Sequence, residues 1–169
     1  YTSWSLLSVR SDSGDQGSSI GGLAAMVGLS LPSSGEDRAA QTIELIKSRQ
    51  FVKHLMTFDD ILPSIMAAKT YNSASQELLF NQKLYDSETK TWKQNPSNSG
   101  SKTPSYLQAH LLYNDMMSIS QDRFTGFISI TVEHISPLFA KEFLDLIIKE
   151  SNELVRKKDM EESKQRLMY

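Results

Sequence analysis

The sequence predicts an α+β fold: a small mixed sheet with packed helices forming a base domain, plus a long C-terminal helix projecting from it. Three observations carry this. The run from Phe127 to Val132 alternates, so that Phe127, Ser129, Thr131 and Glu133 face one way and Ile128, Ile130 and Val132 the other, buried way. At Ser136-Pro137 the period changes from two to about 3.6 residues. Ser136 suits an N-cap there and Pro137 the first helical position, where a missing N–H costs nothing. From Leu138 to Tyr169 no Gly or Pro intervenes, so the helix can run about 33 residues, or about 50 Å.

Taken in order, Ser3 to Arg10 is apolar at Trp4, Leu6, Leu7 and Val9 and reads as a strand. Ser11 to Ser19 is a loop by composition. Ile20 to Leu31 is a small-residue apolar run broken by Gly21, Gly22 and Gly28, about twelve residues against the ~20 that span a bilayer. An apolar flap over a core or a neighbour fits it better than membrane contact.

Ser34-Gly35-Glu36-Asp37 matches a capping pattern, and a helix from Glu36 to about Lys47 follows, with Ala39, Ala40, Ile43 and Ile46 on one side. Phe51, Val52, Leu55 and Phe58 continue the habit, as a second helix or a bend. A third, short helix spans Ile61 to Ala68, with Asp59-Asp60 at its start and Pro63 in its first turn. Glu77 to Trp92 reads as a small hairpin or an extended excursion turning at Asp86 to Thr89, and Lys93 to Thr103 as a polar loop. Pro104 opens a helix with Tyr106, Leu107, Leu111, Leu112 and Met116 at helical spacing. Ile119 to Phe124 and Phe127 to Val132 then form an antiparallel pair around Thr125-Gly126.

Composition bounds the function. With 169 residues, 39% of them hydrophobic, the chain supports one core, so residues 1–169 read as one domain, base about 1–148 and projecting helix about 137–169. A net charge of −2 gives no overall pull towards nucleic acid or an anionic membrane. Without cysteine there is no disulfide, no thiolate nucleophile and no Cys-containing zinc site. No stretch reaches the ~18 apolar residues of a membrane helix, and no signal peptide is evident. Tyr1 in place of Met suggests an excised piece.

Motifs for chemistry are lacking. His54, His110 and His134 are far apart, with no His at i+4 and no HExxH, so no metal site is expected. The stretch Asp12 to Gly17 lacks the ligand order of a calcium loop, and Gly17 to Gly22 lacks the Gly-Lys-[Ser/Thr] of a phosphate cradle. The adjacent carboxylates Asp59-Asp60 and Glu161-Glu162 point about 100° apart on a helix and make no acid/base couple. No catalytic, cofactor-binding or metal residue is therefore assigned. Between Lys149 and Arg166 the apolar residues are only Leu154, Val155 and Met160 among charges of both signs. A helix polar almost all round bridges solvent or assembles. Glu153, Arg156, Lys157 and Glu161 are the candidate assembly or regulatory surface.

Two patterns carry a resemblance: Ile46-Lys47-Ser48-Arg49-Gln50-Phe51 with Asp60-Ile61-Leu62-Pro63, and Thr125-Gly126 with Glu133-His134, Pro137 and Ala140. With the order of segments around them, over nearly the whole chain, the sequence resembles the bacterial Wzz family. These are chain-length determinants, or polysaccharide co-polymerases. The resemblance implies no enzyme activity and no cofactor. It implies a periplasmic domain on the inner membrane, with an α/β base near the membrane and a long helix rising from it. It further implies ring-like homo-oligomers that set the chain length of O-antigen or a related lipopolysaccharide or capsule. The partners implied are a membrane polysaccharide polymerase and the growing polysaccharide. The membrane helices, the Pro-rich segment and the returning C-terminal helix and strand expected of such proteins are not within these residues. Two rival readings come from other classes. A periplasmic adaptor binding another protein would suit the polar arm, and a glycan-acting enzyme would need paired carboxylates or a nucleophile that no motif supplies.

Overall fold

The computed structural model describes residues 1–7, 34–97, 100–122 and 124–167. The expected loop and apolar flap between Ser11 and Leu31 lie outside these residues.

A three-stranded sheet is laid down by local patterning. Met117–Gln121 (β6) turns at Gly126 into Ile128–Glu133 (β7), and Thr2–Leu7 (β1) pairs along the other edge of β7. Leu7 opposes Ile128 and Thr2 opposes Glu133, while Met117 opposes Val132 and Gln121 opposes Ile128. Every described pairing in the chain is antiparallel, so the α+β class is as predicted but the sheet is not mixed. The β6–β7 turn is local chemistry. The Asp122 carboxylate accepts from the backbone N–H groups of Phe124 and Thr125, and Gly126 takes φ 72°, where a Cβ would be strained. Those two N–H bonds hold the Asp122 carboxyl below the usual carboxylate range. Ile128, Ile130 and Val132 are buried, on the face that the alternation assigns to the core.

Helices cover that face. Ser34–Lys47 (α1) and Arg49–Leu55 (α2) are two helices, not one bent helix, because Ser48 leaves helical geometry (ψ 147°) to cap α2, its hydroxyl accepting from Phe51 N–H. Ala39 and Ile46 of α1 are buried while Ala40 is exposed, since it sits about 100° round the helix. Ile61–Met66 (α3) ends two residues early, because Ala68 begins a strand. That strand, Ala68–Asn72 (β2), pairs with Glu77–Phe80 (β3). Tyr85–Asp86 (β4) pairs with Thr91–Trp92 (β5) around residues 87–90. The turn expected near Asp86 is thus the β4–β5 hairpin, while Glu77–Phe80 pairs back with Ala68–Asn72, outside the expected span. The Lys93 to Thr103 loop is pinned at Asn95, which is buried and bonds Thr103 O and the Gln108 side chain.

Tyr106–Met116 (α4) starts at Ser105 with a reciprocal capping box to Gln108. Its inward side is Ala109 and Tyr113, and Leu107 and Leu111 turn outward. Burial holds the Tyr113 phenol in its protonated form and its hydroxyl donates to Ile46 O at 3.0 Å, tying α4 to the end of α1.

Pro137–Leu167 (α5) is one helix of 31 residues. Ser136 Oγ accepts from Phe139 N–H at 3.1 Å, the cap expected from sequence. Ala140, Phe143, Leu144 and Ile147 bury its first half against the sheet and helices. Phe143 stacks on Phe139 (5.2 Å, 14°) and meets Tyr113 edge-on (6.0 Å, 85°).

Candidate functional site: the emerging helix and the groove at its root

Glu150 and Ser151 are the last consecutive buried residues of α5, and beyond them none of the described residues of the helix is buried. Here α5 leaves the base. Glu150 Oε2 lies 2.6 Å from His54 Nε2 of α2, so the exit is held by a polar contact. Lys149 adds a looser approach at 3.9 Å from a solvent-facing position.

Glu153, Arg156, Lys157 and Glu161 are all exposed on the emerged part. At 100° per residue they fall within an arc of about 140°, one face of the helix. None of the four makes an ion pair among the described residues. Structure thus brings the predicted surface residues together on one side, with charges of both signs and half-buried Leu154 and Val155 beside them.

Sequence reasoning missed a groove of about 660 Å³ at the root of α5. One wall is α5 itself at Leu138, Phe139, Glu142 and Leu146. The other walls are three successive connections well before α5 in sequence: Phe58 to Ile61, the β2–β3 hairpin, and the turn at Ser87 and Lys90. The described non-glycine residues with positive φ, Asp60 (64°), Gln76 (57°) and Lys90 (51°), all line it. Such backbone costs roughly 1–2 kcal/mol per residue and persists only where surroundings hold it. Lys90 Nζ bridges to Asp60 Oδ2 at 3.2 Å across the rim, and this contact raises the Lys90 pKa. Asp59 and Glu142 have no ion-pair partner among the described residues. The floor is phenylalanine and leucine; the rim is acidic. The one sequence signal for it was Asp59-Asp60 beside Phe58, which reads equally as a helix start.

The histidines are each committed to structure. His134 donates from Nε2 to Ser64 O at 3.0 Å and accepts at Nδ1 from Ser136 N–H at 3.1 Å, which fixes the neutral Nε2–H tautomer. Burial lowers its pKa. The ring joins α3 to the start of α5, and Phe139 packs on it at 4.5 Å. His110 Nε2 lies 3.0 Å from Lys47 O. No group of three His, Cys, Asp or Glu among the described residues could hold a metal. No buried side-chain nitrogen or oxygen among them lacks a partner.

The residues of the two sequence patterns sit at joints. Pro63 is buried in α3, Asp60 is the left-handed N-cap before it, Gly126 makes the β6–β7 turn, His134 clamps α3, and Ala140 is buried on the inner side of α5. No described helix is long and apolar enough to cross a membrane. No protein-family model, curated protein or solved structure matches the chain.

Proposed function

We propose that this chain is the periplasmic base and rising helix of a regulator of surface polysaccharide chain length. It works as a homo-oligomeric scaffold beside a membrane polymerase and not as an enzyme. The observation that carries the reading is α5: one uninterrupted helix, buried for its first half and then exposed with a charged face of Glu153, Arg156, Lys157 and Glu161. The two sequence patterns described above support it, because their residues hold the joints from which α5 rises. Copies pack through the base and the flanks of α5, and the spacing of the array biases how long the polymerase keeps extending. The test is the length distribution of the surface polysaccharide made by cells carrying Glu153→Ala or Arg156→Ala in the full-length protein. A shifted ladder with polymer still made is expected. An unchanged ladder across a scan of the whole emerged face would overturn the proposal.

A further inference from the structure

The groove at the root of α5 has an apolar floor and an acidic rim. Leu138 in its wall is 46% exposed. Two of its carboxylates, Asp59 and Glu142, are unpaired among the described residues, while Asp60 is offset by Lys90.

A complementary surface lies elsewhere on the same chain. Leu107 and Leu111, one helical turn apart on the outward side of α4, are 45% and 67% exposed and form an apolar ridge. Beside it the joint between α1 and α2 carries Lys47, Arg49 and Lys53, all exposed and without an ion pair among the described residues. Lys53 Nζ stands 5.5 Å over the Tyr106 ring, which places its charge at the ridge. Asp115 is the one acid on α4 itself.

We infer that the groove receives the α4 ridge of a second copy of this chain. Leucines enter the phenylalanine and leucine floor, and the Lys47, Arg49 and Lys53 cluster meets Asp59 and Glu142. One copy cannot satisfy itself, because Phe143 lines the groove and meets Tyr113 on the inward side of α4, leaving the body of α4 between the two surfaces. Joining two different surfaces makes a heterologous contact, which adds copies in one direction and closes into a ring when the rotation allows. The inference rests on the reading of this chain as one member of a homo-oligomer, and it names the contact.

The test is sedimentation and light scattering of the 169-residue chain from about 1 µM to about 1 mM, at low and high salt. Concentration-dependent association that weakens with salt is expected. Leu111→Asp, at an exposed position that leaves the fold intact by circular dichroism, weakens it at least about tenfold. Arg49→Glu with Lys53→Glu weakens it about tenfold at low salt, as does Asp59→Lys with Glu142→Lys, and mixing these two reversed proteins restores it. A chain that stays monomeric throughout, association indifferent to both reversals, or a mixture that fails to recover would each overturn the inference. Association through these faces with an unchanged polysaccharide ladder would sink the proposed function and leave this contact standing. A shifted ladder from a chain that never associates would do the opposite.

Discussion

The two halves of α5 share one backbone and are held by different physics. Up to Glu150, buried Ala140, Phe143, Leu144 and Ile147 anchor the helix in the core. Past Ser151 none of its described residues is buried, and Leu154 and Val155 are only half covered. The first half exists because it buries apolar surface, at roughly 25 cal/mol per Å². The second exists because good helix formers continue a helix already nucleated, so each added residue costs little. Core changes should therefore be felt by the whole molecule, and changes in the emerged half only locally.

The largest effect sharpens the contrast from the base side. Ile130→Asp places an unpaired charge at a fully buried strand position and should cost several kcal/mol, removing the cooperative denaturant transition. A retained transition would show that the inner face of β7 is misplaced. Phe143→Ala should follow, at about 3–5 kcal/mol by denaturant titration, since it removes the contacts to both Phe139 and Tyr113.

His54→Ala tests the boundary between the halves. Its effect on global stability should be about 1 kcal/mol, because His54 is partly exposed, but amide exchange should quicken around Glu150 as that buried carboxylate loses its partner. Unchanged exchange there would mean that packing alone holds the exit. His134 gives a pH test of the base. Its folded pKa lies below the ordinary imidazole value of about 6.5, so as pH falls past that value the unfolded chain takes up the proton first and stability drops. The denaturation midpoint should fall on acidification through that range, and His134→Gln should flatten the fall. The smallest effect is Arg156→Ala, within about 0.5 kcal/mol, and a larger one would mean that the emerged half packs on something.

What was legible in the sequence was what neighbours along the chain decide. Period-two alternation fixed the buried face of β7, and Ser136-Pro137 marked the start of α5 because capping needs only three residues. The Thr125-Gly126 turn was local for the same reason. What was not legible depends on distant partners. β2 has the polar sequence AKTYN and becomes a strand by pairing with β3, so no internal pattern announces it. The leucines of α4 have helical spacing but point outward, because Ala109 and Tyr113 fit the space against Phe143. His54 meets Glu150 across 96 residues, and the groove joins turns between residues 58 and 90 to α5. That Glu153, Arg156, Lys157 and Glu161 share one exposed face could be read beforehand because a helix converts spacing directly into direction.

An uninterrupted α5 is also a lever. The 16 or so residues that emerge past Ser151 reach about 24 Å, so a tilt of about 10° at the exit swings the tip by about 4 Å. In the proposed assembly, small errors in how bases seat would be magnified at the far end, and uniform seating would place every tip in register. Any dimension measured out by the tips is thus calibrated at the root.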